Sequence, residues 1–265
     1  MRIRISRSVV PNLFTVLNIF FGFLSIISAV NNQFTIAIWY IGFSAICDAL
    51  DGVMARLTKS ASEFGVELDS LADVVAFGVA PSFLVYKLAL SQFGSLGTLI
   101  AAMPLIFGAL RLARFNVQLT GFDKDHFSGL PIPLAALTII SFIHFFTPEE
   151  IQSTALLQNV LLGLVIAVSL LMVSVIRYPV LPKFSKRTFR EHPIQMSLVI
   201  AGGILIAASG LKALFPILLS VVLSGIGLAS FRKMKIFFRQ RAEDEGDEDE
   251  LEPQPSPVKH HRFIK

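Results

Sequence analysis

Apolar residues come in blocks about twenty long, divided by short stretches rich in Lys, Arg, Pro, Asn and Asp. A helix rising 1.5 Å per residue needs about 20 mostly apolar residues to cross a bilayer. Blocks at 11–30, 34–55, 65–90, 94–115, 131–147, 154–176, 194–211 and 213–231 meet that length. Eight such spans take about 160 residues. A polar tail takes 233–265, so any chemistry must be built from helix ends and short loops. The first block is longer than the 7–15 apolar residues of a leader peptide. It also carries Asn12, Thr15 and Asn18, so it is read as a span rather than a cleaved leader.

Composition agrees with the pattern. Of the 265 residues, 54% are hydrophobic and 16% charged, against roughly 25% charged in a soluble domain. The mean hydropathy is +0.68. A soluble core of this composition would lack the polar surface to cover it, and a disordered chain would lack the apolar residues. The single cysteine, Cys47, excludes an intrachain disulfide.

Charge supplies the orientation. With the N-terminus in the cytosol, the loops on that side and the tail hold twenty-one of the 23 Lys and Arg; only Lys87 and Lys212 fall outside. The positive-inside rule therefore favours an even number of spans with both ends in the cytosol. The net charge of +4 reflects that topology and attraction to anionic lipid, not nucleic acid binding. The segment 231–241 mixes basic and apolar side chains and suits the membrane surface. Acids crowd 243–252 beyond it, before Pro253, Pro255 and Pro257. The expected architecture is an all-α polytopic membrane helix bundle of about eight transmembrane helices. Residues 1–232 would form the membrane-embedded domain and 233–265 a disordered basic-then-acidic tail, in a multi-pass protein of the cell membrane.

Four carboxylates break the apolar pattern. Asp48 and Asp51 lie three apart at the end of the second span; Asp69 and Asp73 lie four apart at the start of the third. Each spacing puts its pair on one helix face. The two spans are antiparallel neighbours, so the faces can meet at one depth. An Asp within a membrane costs at least about 2.5 kcal/mol and marks function by default. Two divalent cations would neutralise the four charges, and oxygen donors favour Mg²⁺, Mn²⁺ or Ca²⁺ over Zn²⁺. Small residues, Gly52 and Ala55, would let a flat ligand approach the second helix.

The segment reads Asp48-x2-Asp51-Gly52-x2-Ala55-Arg56-x8-Gly65-x3-Asp69-x3-Asp73. It resembles the signature of the CDP-alcohol phosphotransferase family at every fixed position. Further stretches resemble the phosphatidylserine synthases of the membrane-embedded type: Pro11 to Thr15 with Asn18 and Gly22, Glu67 to Pro81, Ala109 to Asn116, and Phe127 to Pro133. The resemblance covers about residues 8–135 and fades beyond.

It implies transfer of a phosphatidyl group from CDP-diacylglycerol to L-serine, releasing CMP, in a homodimer within the lipid bilayer, with the active site on the cytosolic face. Asp48, Asp51 and Asp69 would be mainly metal ligands, and Asp73 both a ligand and the general base. Gly52, Ala55, Arg56 and Gly65, with Asn18 from the first span, would hold the nucleotide and phosphates. Arg111, Arg114 and Asn116 would hold the acceptor or a phosphate. For Arg56, Arg111 and Arg114, a basic helix end is the competing reading. The same chemistry with glycerol 3-phosphate or inositol phosphate is the nearest alternative. An ion-coupled transporter is the rival from another class, although transporter sites sit near the midplane of repeated halves and no repeat is visible here.

Overall fold

A computed structural model of the chain describes residues 9–58, 62–120, 129–176, 210–230 and 234. Its contacts divide the chain into one unit at Met1–Gly225 and a second at Ile226–Lys265. In the second unit the described residues, 226–230 and Met234, are helical. The expected domain boundary at 232/233 and the tail beyond it lie outside the described residues, Met234 excepted.

The first unit is built of α1 (Val9–Val30), α2 (Phe34–Thr58), α3 (Glu63–Asp73), a π-helical turn (Val74–Val79), α4 (Ala80–Leu88), α5 (Gly94–Thr120), α6 (Ile132–Phe146), α7 (Pro148–Ser153) and α8 (Ala155–Val173). A 3₁₀ turn at Gly210–Ala213 leads into helical residues 214–230. Among the described residues, six stretches are long and apolar enough to cross a membrane: Val10–Val30, Phe34–Thr58, Glu63–Leu88, Leu90–Val117, Ala155–Val173 and Gly210–Ser230. The chain is thus a multi-pass, all-helical membrane protein in its described residues. The fifth expected span is the shorter α6, which begins after Pro131 and ends at Thr147, where φ is +55°. The seventh, 194–211, lies outside the described residues except for 210 and 211.

The core sits where α1, α2, the π turn, α4, α5, α6 and α8 converge. Ile41, Phe77, Leu84, Ile132, Ile139, Phe142 and Met172 are fully buried there. Phe142 packs at a tilt against Phe146 and edge-on against Phe215, while His144 meets Trp39 edge-on at 6.2 Å between ring centroids. Long apolar side chains such as Leu13, Phe20, Phe23 and Leu99 point outward, as lipid contact requires.

Two close approaches set the geometry around the site. A methyl group at Gly22 of α1 would lie 2.8 Å from the Ala76 Cα, so α1 packs directly on the π turn. Gly129 (φ +91°) docks the start of α6 on the end of α8: its N–H donates to the Ile176 carbonyl, and that of Leu130 to the Leu171 carbonyl. A Cβ at 129 would fall 2.1 Å from the Met172 carbonyl oxygen. Gly129→Ala combines that clash with a disfavoured φ and is expected to cost about 2 kcal/mol or more. Thermal unfolding in detergent checks this; a variant as stable as the wild type contradicts it.

Candidate active site

The carboxylates meet where the end of α2 turns back into α3. Oxygens of Asp48, Asp51 and Asp69 lie within 4.8 Å of one another. Asp73 lies within electrostatic range of all three. Asp51 and Asp73 are buried, while Asp48 and Asp69 are half-buried. One oxygen on Asp69 and one on Asp73 are enclosed without a hydrogen-bond partner. Two unit charges at such distances repel by on the order of 3 kcal/mol at an effective dielectric of 20. A cluster of four is therefore unstable unless cations or protons enter it.

The donor set fits divalent cations. Three converging carboxylates and two orphaned oxygens form a hard site, and no imidazole joins the group among the described residues. Cys47 lies one helical turn before Asp51, and its buried sulfur feels the Asp51 charge.

The first helix braces the cluster. Thr15 Oγ1 reaches Asp51 Oδ2 at 3.1 Å and the Pro11 carbonyl at 3.2 Å. One turn deeper, Ser44 Oγ donates to the Asn18 carbonyl at 2.8 Å and contacts Asn18 Oδ1. Asn18 is fully buried, and its Nδ2 has no partner. Ser62 caps α3 by accepting the Gly65 N–H at 3.1 Å. Gly65 fits against that cap and against Asn12 of α1, where a methyl group would lie 3.2 Å from Ser62 Oγ.

Beyond Asp73 the helix loosens into the π turn, a feature that recurs at functional sites. It ends next to Pro81, and Ser82 Oγ accepts the Leu105 N–H one residue past Pro104 of α5. This bond ties the helix of Asp73 to the helix of Arg111.

The remaining expected residues divide into two groups. Gly52, Ala55 and Arg56 follow Asp51 along α2. Gly52 faces open space except for the Arg56 guanidinium, whose Nη1 would lie 3.6 Å from a Cβ there. Arg111 lies within electrostatic range of Asp73 and Arg114, and its buried Nε has no hydrogen-bond partner. Asn116 bridges α5 to α3: its Nδ2 donates to Ser70 Oγ at 3.0 Å and reaches Glu67 at 3.5 Å. Sequence alone assigns no role to Thr15, Ser44 or Ser70. Only the helix pairing exposes their contacts, although Thr15 falls inside a stretch with a family resemblance.

Comparison with known proteins matches this site. Residues 8–171 fit the family model described as CDP-alcohol phosphatidyltransferase. A Helicobacter pylori protein named CDP-diacylglycerol–serine O-phosphatidyltransferase is 45% identical over 175 residues, 64% of this chain and 71% of its own length. A Bacillus subtilis protein of the same name is 36% identical over 170 residues, 64% of this chain and 89% of its own. Archaetidylserine synthase of Methanothermobacter thermautotrophicus is 40% identical over 171 residues, 64% and 69% of the two chains. The matched span includes α1, the acidic hairpin of α2 and α3, and α5 with its arginines, so the chain belongs to the CDP-alcohol phosphatidyltransferase family.

Proposed function

We infer that the protein transfers the phosphatidyl group of CDP-diacylglycerol to the hydroxyl of L-serine, giving phosphatidylserine and CMP. The observation that carries the reading is the acidic cluster of α2 and α3 within a chain whose similar proteins are named for serine. The serine oxygen forms a bond to the phosphorus that bears the diacylglycerol. The bond from that phosphorus to the CMP oxygen breaks, and CMP departs with the electron pair. Asp73 takes the hydroxyl proton.

Asp48, Asp51 and Asp69 would hold divalent cations, two Mn²⁺ or Mg²⁺ ions, with Asp73 contributing as a further ligand. Those ions, when bound, screen the pyrophosphate and the leaving phosphate. The open face at Gly52 and Ala55 accepts the flat cytosine ring, with Gly65 completing that wall and Arg56 beside the phosphates. The unpaired Nε of Arg111 suits the planar carboxylate of serine. Arg114 adds positive charge, and Asn116 holds α5 against α3. Positioning supplies most of the rate in such a transfer.

The placement of Lys and Arg supports an active site at the cytosolic face of the cell membrane, where CDP-diacylglycerol presents its nucleotide and serine arrives from water. The domain assignment is residues 1–232 in the membrane with a cytosolic tail at 233–265, the whole acting as a homodimer.

The test is CMP release by the purified protein with CDP-diacylglycerol and Mn²⁺, given serine, glycerol 3-phosphate or inositol phosphate separately. Release is expected with serine. In Arg111→Ala the KM for serine should rise about tenfold or more, the cost of one charge-assisted pair. Release only with another alcohol would overturn the acceptor.

A further inference from the structure

Asn18 is the least exposed polar residue near the carboxylates, yet half of its amide is unused. Its relative exposure is 0%, as is that of Ser44. The Oδ1 end faces α2, where Ser44 Oγ contacts it. Ser44 is four residues before Asp48, so this contact lies one turn beneath the acids on the same face of α2. The Nδ2 end has no hydrogen-bond partner.

Two cross-helix contacts fix what lies there. Thr15, three residues earlier on the same face of α1, reaches Asp51. Gly22, four residues later, rests on Ala76 of the π turn. Ala76 is three residues past Asp73, so stepping back one turn on each helix puts Asn18 level with Asp73. Asp73 Oδ1 is a buried acceptor without a partner, and Asn18 Nδ2 is the buried donor without one on the α1 side; Arg111 Nε is a second such donor, from α5. Asn18 and Asp73 do not bond each other directly. The negative charge of the acids also favours presenting the NH₂ end to them.

We propose that Asn18 is a positioning residue: its Nδ2, held in direction by Ser44, donates through one buried water to Asp73 Oδ1 and so fixes the rotamer in which the other oxygen meets the acceptor hydroxyl. Buried polar atoms rarely go unpaired, and water commonly completes them. This assignment removes Asn18 from the nucleotide contacts expected from sequence. It rests on reading Asp73 as the base.

Replacing Asn18 with leucine leaves Ser44 a partner, because its one hydroxyl proton, released from Oδ1, can go to the backbone carbonyl of residue 18 at 2.8 Å. The experiment measures CMP release by the full chain in detergent, with Mn²⁺, CDP-diacylglycerol and serine. Asn18→Leu should lower kcat about 10–100-fold, the usual effect of losing a residue that orients a catalytic ligand. The KM for each substrate should stay within about twofold of the wild type, since the residue orients Asp73 and binds neither substrate. Asn18→Ser, which keeps a short donor and room for water, should recover part of the loss. A raised KM for CDP-diacylglycerol at unchanged kcat would make Asn18 a nucleotide contact and overturn the proposal; unchanged kinetics would reduce it to packing. If Asn18→Leu does not fold, Ser44→Ala decides: kcat should fall with both KM values held, and an unchanged kcat overturns the proposal. A wild type active only with another alcohol overturns the serine reading alone, and the same kcat and KM comparison is then made with that alcohol. A wild type inactive with every alcohol overturns both.

Discussion

Asp73→Asn should lower kcat by about 10²–10⁴-fold, the range that a positioned general base contributes, while leaving the fold intact. The amide has the shape of the carboxylate, so the packing around a residue only 8% exposed is kept. It cannot take a proton. It also removes one of the mutually repelling charges of Asp48, Asp51, Asp69 and Asp73. Stability should therefore hold or rise as activity is lost. A destabilising core substitution would lower both together. Thermal unfolding and CMP release measured on one preparation separate the cases. A variant that keeps more than about a tenth of wild-type kcat would show that proton removal at Asp73 does not limit the reaction.

The acids were legible in the sequence because each is expensive where it stands. A carboxylate in a membrane helix is rare enough that four at helical spacing announce a shared site by their spacing alone. The helices were legible for the related reason that a span must be apolar over a fixed length. Hydropathy could not show where a helix changes character. The block at 65–90 is one apolar run, yet it divides at Asp73 into α3, a π turn and α4. That division depends on Gly78 lying against Leu105 and on Ser82 receiving the Leu105 N–H, both contacts with α5. The residues that brace the acids were hidden similarly. Thr15 and Ser44 are hydroxyls of a kind that any membrane helix tolerates by bonding back to its own carbonyls. Their use at Asp51 and Asn18 follows from which helix lies opposite. Asn116 stood out in the sequence through the resemblance, as an acceptor or phosphate contact; its tie to Ser70 and Glu67 required the pairing of α3 with α5.

Chelation should abolish CMP release, and Mn²⁺ or Mg²⁺ should restore it. The stronger expectation concerns stability, because it needs no turnover. Asp48, Asp51 and Asp69 converge within 4.8 Å, a folded-state arrangement that the unfolded chain cannot hold. A cation binding only there stabilises the protein by about 2.7 kcal/mol at a hundred times its dissociation constant. Mn²⁺ should therefore raise the Tm of the wild type in detergent. Asp51→Asn should need roughly 10–100-fold more Mn²⁺ for the same rise, the usual cost of disturbing a metal site. Without the metal, the same variant should be more stable than the wild type, because one member of a mutually repelling set is gone. That opposition is specific to the reading. A carboxylate that merely held the helices together through Thr15 would lower stability in both conditions when neutralised. Asp73→Asn should weaken the Mn²⁺ response less than Asp51→Asn does, since Asp73 stands outside the converging three and only shares in the coordination. If Mn²⁺ left the Tm of the wild type unmoved at millimolar concentration, the cluster would not be a cation site, and its charges would have to be relieved by protons.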